Sequence, residues 1–101
     1  MKKRFVVMLD SSTQEQNQAF LAFIQNQSLN WWHWLTNSWL IIGANVSADE
    51  ISAKVQQIYP NIHHLVIELR TDGTEEWYGF GPSGEKRNMF PWLQQYWKKH
   101  G

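Results

Sequence analysis

An α+β fold around one antiparallel sheet is predicted for this 101-residue chain by three observations. A continuous apolar run, Phe5-Val6-Val7-Met8-Leu9, reads as a strand in the middle of a sheet. Two capping-box signatures, Ser12-Thr13-Gln14-Glu15 and Ser47-Ala48-Asp49-Glu50, each open a stretch of helical period. Between them, Trp31 to Ile42 places four of the seven tryptophans in nine residues around Thr36-Asn37, the composition of two half-buried strands joined by a tight turn.

Taken in order, the first strand ends at Asp10. Ser12 is expected as N-cap of helix one, with Glu15 at N3, and Ala19, Phe20, Phe23, Ile24 and Gln27 follow at helical spacing. The hairpin comes next, with apolar side chains on both faces. Ser47 and Glu50 cap helix two, whose inner face is Ile51, Val55 and Ile58, and Pro60 closes it. From His63 to Arg70 the residues alternate: His63, Leu65, Ile67 and Leu69 share one face, and His64, Val66, Glu68 and Arg70 the other. Thr71-Asp72-Gly73-Thr74 signals a turn before a short fifth strand, Trp77-Tyr78-Gly79-Phe80. Asn88 caps a last helix to about Lys98, with Met89, Leu93, Tyr96 and Trp97 as its apolar side.

This β-α-β-β-α-β order is the ferredoxin-like succession, in which both crossover helices lie on one face of the sheet. Residues 1–82 are expected to form that domain, and residues 83–101 a connecting loop and C-terminal helix packing on the domain or on a partner subunit. The second sheet face carries half of the hairpin's tryptophans, more apolar surface than a monomer usually exposes, so it needs cover.

Composition narrows the function. Nine basic residues balance nine acidic ones, so no global field draws the chain to nucleic acid or membrane. Lys2-Lys3-Arg4 and Lys98-Lys99 are expected as solvated charges. Without cysteine there is no disulfide, thiol nucleophile or Cys-based zinc site. No segment has a signal-peptide h-region or the length of a membrane span, and a cytoplasmic protein is expected.

Gly79-Phe80-Gly81-Pro82-Ser83-Gly84 matches G-x-G-x-x-G, but only seventeen residues follow it, too few for a strand carrying a ribose-binding acid. Glu85 occupies the place a P-loop gives to lysine. A loop connection explains these glycines.

The layout resembles the CRISPR-associated protein 2 superfamily, which also holds the virulence-associated protein D ribonucleases and the antitoxin of type V toxin–antitoxin pairs. The residues carrying the likeness are Val7-Met8-Leu9-Asp10, a hydrophobic first strand ending in aspartate, with the element order and the short fifth strand. Within the superfamily the likeness is to small members with a Trp-rich hairpin like Trp32-His33-Trp34-Leu35 and Ser38-Trp39-Leu40-Ile41, and a final Trp77-Tyr78-Gly79-Phe80 strand. It spans residues 2 to about 82. It implies a homodimer with paired Asp10 side chains facing each other, holding a divalent cation such as Mg²⁺ that activates water against a phosphodiester.

Candidate site residues follow from both sources. Asp10 is the catalytic and metal-ligating candidate; its plainer role is to satisfy loop amides beside Ser11 and Ser12. His33 is the candidate general base, set among aromatics that shift its pKa. His63 and His64, adjacent on a strand, point to opposite faces and cannot chelate one metal. Trp32, Trp34, Trp39, Trp77 and Trp97 are candidate interface anchors. With no Lys or Arg between Gln25 and Ala53, packing explains the hairpin tryptophans better than nucleic-acid stacking. Two functions stand. One is a Mg²⁺-dependent nuclease or antitoxin-type protein acting on RNA. The other is a non-catalytic dimerisation module, whose Trp-rich face binds a protein partner such as a toxin or defence component.

Overall fold

The computed structural model describes residues 2–69, 83–84, 87–88 and 90–97. Strands β1 (Lys3–Leu9), β2 (Asn30–Leu35), β3 (Ser38–Gly43) and β4 (His64–Leu69) form one antiparallel sheet in the order β2-β3-β1-β4. Helices α1 (Gln14–Asn26) and α2 (Ala48–Ile58) connect β1 to β2 and β3 to β4. A third helical segment, α3 (Phe90–Trp92), runs on as a wider π-turn over Leu93–Trp97. The expected fifth strand, Trp77 included, and the 82/83 boundary lie outside the described residues.

Helix α2 starts where expected: Ser47 Oγ accepts from Glu50 N at 3.2 Å, and Ser47 N donates to Glu50 Oε1 at 3.2 Å. Helix α1 starts one residue later than its sequence suggests. Thr13 and Gln16 form the capping box, because Ser12 is engaged elsewhere. Its hydroxyl donates to Asn37 Oδ1 at 2.8 Å, in the hairpin turn, and accepts from Asn17 Nδ2 at 3.2 Å. At the other end of α1, Leu29 N donates to Ile24 O and Ser28 N to Gln25 O, a Schellman closure. It puts Ser28 in the left-handed region, φ 56°, a place glycine occupies at lower cost.

The face under α1 and α2 holds the main core. Phe5, Val7 and Leu9 of β1 and Trp39 and Ile41 of β3 meet Phe20 and Ile24 of α1 and Ile51, Val55 and Tyr59 at α2. Phe20 sits edge-on to Trp39 at 5.0 Å and to Tyr59 at 6.0 Å, contacts that contribute roughly 0.5–1.5 kcal/mol each beyond area burial. Gly43 closes β3 where Leu29 crosses it; a Cβ there would run into Leu29 and crowd Val46.

The opposite face is covered over part of its width by the C-terminal segment. Trp32, Ile42, Leu93 and Trp97 make a second cluster, flanked by Val6, Trp34, Leu40, Leu69, Phe90 and Trp92. Tyr96, expected on the inner side, is 43% exposed, and Phe90 and Trp92 take that role. The wider π-turn explains the change, since an i to i+5 period aligns Trp92 with Trp97 and rotates Tyr96 outward. Trp92 Nε1 anchors the segment by donating to Asn30 Oδ1 at 2.7 Å, and Asn88 Oδ1 caps it by accepting from Phe90 N at 3.1 Å.

Arg4 also departs from expectation. It is 1% exposed, its guanidinium 5.2 Å from the centre of the Trp97 ring. Even-numbered residues of β1 face the side that the C-terminal segment covers, so Arg4 goes under Trp97, whereas Lys2, ahead of the strand, stays exposed. No helix among the described residues is long and apolar enough to cross a membrane.

Candidate functional site

Asp10 stands just past the end of β1. Its backbone N–H donates to His63 O at 2.9 Å, which extends the β1–β4 pairing by one bond. Its carboxylate lies 3.9 Å from His63 Nδ1, and the two side chains are 74% and 96% exposed. Water screens a pair so open, so it positions neither group firmly. The N-terminal amide of α1 at Gln16 is served by Thr13 rather than by Asp10, whose carboxylate faces solvent and His63. A wide depression there is lined by Met8, Leu9, Asp10, His63, His64 and Leu65.

As the alternation requires, His63 and His64 diverge. His64 turns toward α2, where its Nε2 is 2.7 Å from Ser52 Oγ. Among the described residues no three His, Cys, Asp or Glu side chains are grouped to hold a metal ion. A hard cation prefers several oxygen ligands. Asp10 with His63 supplies one carboxylate and one imidazole, so the described residues of one chain do not make a Mg²⁺ site.

His33 is built into the structure more tightly. The β2–β3 register slips between Trp32 and Leu35, so His33 and Trp34 together stand opposite Trp39. Such a bulge re-aims side chains. Here the His33 ring lies flat on Trp39, centroids 3.7 Å apart and planes 5° from parallel. His33 Nδ1 is 2.9 Å from Ser38 O. A carbonyl only accepts, so Nδ1 carries the proton in the neutral ring and Nε2 the lone pair. Burial pulls the His33 pKa below its ordinary 6.5, and the bond to Ser38 opposes that pull.

His33 lines a cleft of about 420 Å³ between α1 and the hairpin, together with Trp31, Trp39, Ser12 and Asn17 among others. A directed hydrogen-bond chain runs beside it. Tyr59 OH donates to Asn17 Oδ1 at 2.8 Å, Asn17 Nδ2 to Ser12 Oγ at 3.2 Å, and Ser12 Oγ to Asn37 Oδ1 at 2.8 Å. Burial pushes the Tyr59 hydroxyl up to about 12, so it serves this chain as a protonated donor.

Asp10 and His33 line separate depressions with no residue in common, so the two catalytic candidates are not brought together. Of the interface candidates, Trp39 (1% exposed) is in the core under the helices, and Trp32 (6%) and Trp97 (5%) pack in the same second-face cluster. Their area is occupied inside the chain. Trp34 is half-buried, with the Arg87 guanidinium 5.4 Å from its ring centre. Trp77 lies outside the described residues. Sequence reading missed Asn17 and Tyr59, because 42 positions separate them and only packing joins them.

Compared with known proteins, the chain matches no family model, no curated protein and no solved structure.

Proposed function

We propose that the chain is a ferredoxin-like domain of the CRISPR-associated protein 2 kind that acts as a homodimeric, non-catalytic interaction module. The sheet order β2-β3-β1-β4, with one crossover helix after β1 and another after β3, supports the fold. The observation that carries the dimer is an apolar strip on the face away from α1 and α2. Met8 is 37% exposed, its cross-strand partner Leu65 54%, and Ile67 39%. Large apolar side chains grouped in this way mark a surface that gains from being covered. A second copy offers the same strip, and a two-fold axis matches like with like.

Light scattering on wild type and Leu65→Asp tests this reading. Wild type is expected as a dimer and the variant as a folded monomer with an unchanged far-UV circular dichroism spectrum, since Leu65 is half exposed. A wild-type monomer at high concentration sinks the proposal.

A second reading, a Mg²⁺-dependent nuclease acting on RNA as an antitoxin-type protein does, has one observation in its favour. Asp10 borders the depression that Met8 and Leu65 also line, so a copy paired along the strip brings a second exposed carboxylate to the same interface. Any cation would need both copies. Mg²⁺-dependent cleavage of RNA by wild type, lost in Asp10→Asn at unchanged stability, supports it; retained cleavage in the variant ends it.

A further inference from the structure

The cleft between α1 and the hairpin is untouched by the dimer strip and by Asp10. Its hairpin wall is aromatic, with Trp31, His33 and Trp39. Its helix wall includes Gln14, Gln18 and Leu21, an i, i+4, i+7 row on one side of α1. Among the described residues no charged one lines it. A volume of about 420 Å³, flat apolar walls and a few polar groups are the usual make-up of a small-molecule site.

Most of the polar groups at the cleft are already committed. Ser12 and Asn17 bond each other and reach Asn37 and Tyr59, and Thr13 caps the helix. The amides of Gln14 and Gln18 make no hydrogen bond among the described residues, and neither does His33 Nε2. A ligand would therefore meet two planar amides and one fixed lone pair. It would also meet a stack already begun, since Trp39 covers one face of the His33 ring and His33 is itself only half-buried.

From this arrangement we infer that the cleft binds an uncharged, planar heteroaromatic ring with donor and acceptor edges, the chemistry of a nucleobase. The ring extends the Trp39–His33 stack on the open face of His33, with Trp31, tilted 56° from Trp39, as a side wall, and is read by Gln14 and Gln18. A flat ring extends a parallel stack, whereas a puckered sugar does not, and side-chain amides pair bidentately with base edges. The missing positive charge means that phosphate contributes nothing here, so a free nucleoside and a base turned out of a single strand share one recognition chemistry.

Titration with adenosine, a short single-stranded oligoadenylate and a neutral disaccharide, followed by indole N–H shifts in NMR, tests the inference. Wild type is expected to bind adenosine saturably. His33→Ala and the double variant Gln14→Ala/Gln18→Ala are expected to weaken binding about tenfold, the lower range for losing one stacked or bonded base contact. Both glutamines are exposed, so the double variant keeps its fold. Oligoadenylate binding more tightly than adenosine identifies a strand as the source, and equal affinity identifies the nucleoside. No saturable adenosine binding at millimolar concentration, unchanged affinity in the glutamine variant, or equal binding of the disaccharide overturns the inference. The dimer proposal fails separately: Leu65→Asp leaves adenosine binding intact, and Gln14→Ala/Gln18→Ala leaves the mass unchanged.

Discussion

The two faces of the sheet are made by the same strands yet are sealed differently. Under α1 and α2, Phe5, Val7, Trp39 and Ile41 are each 1% exposed or less. Across the sheet, Trp32, Ile42, Leu93 and Trp97 are buried, while Met8, Leu65 and Ile67 stay open. β1 alternates between both environments, so its composition does not explain the difference. Coverage does. The first face lies under two helices of 13 and 11 residues, each tied at both ends to strands of the sheet by short connections. The second has, among the described residues, only the segment Phe90–Trp97, fixed by the Trp92–Asn30 bond and the stacking of Trp97 over Arg4. A short cover lying over β2, β3 and part of β1 leaves the β4 side open, and there the proposed dimer strip lies.

The largest expected effect tests the sealed face. Trp39→Ala removes the ring that meets Phe20, Trp31 and His33, and should cost about 3–5 kcal/mol in urea unfolding. Trp97→Ala tests the other face. Its loss should be smaller, about 1–3 kcal/mol, because a short terminal segment can detach without opening the main core. Equal losses from the two substitutions would break the contrast between the faces.

Ser28→Gly sharpens the account of why the first cover is firm. Glycine in the left-handed closure of α1 should stabilise the fold by about 0.5–1 kcal/mol, read as a higher melting temperature.

The smallest effect is that of pH. The folded His33 pKa lies below 6.5, so the unfolded chain binds that proton more readily. Stability from this group is complete above about 6.5 and falls as pH drops through the lower folded value. His33→Gln should flatten that slope, and a slope that persists unchanged in His33→Gln would assign it to other groups.

Much of this was legible in the residues. The apolar run at β1, the Ser47 capping box, the Thr36-Asn37 hairpin and the alternation along β4 each rest on chemistry within one turn or one pleat. That chemistry also placed His63 and His64 on opposite sides. The capping of α1 was misread by one position because Ser12 and Thr13 are locally equivalent, and only the hairpin turn, 25 residues away, distinguishes them. Arg4 was misread for a related reason: its neighbours Lys2 and Lys3 look alike in sequence, and the Trp97 ring that covers it comes from the far end of the chain.

The sequence by itself determined the element order, the two-faced hairpin and the neutrality of the chain, because period, capping and charge are local or additive. Only the tertiary structure decided which tryptophans are core, that Asp10 and His33 line different depressions, and that an uncharged aromatic cleft opens beside α1. Those outcomes depend on which side of a pleat meets a helix and where a bulge turns a ring, and both are settled when distant segments pack together.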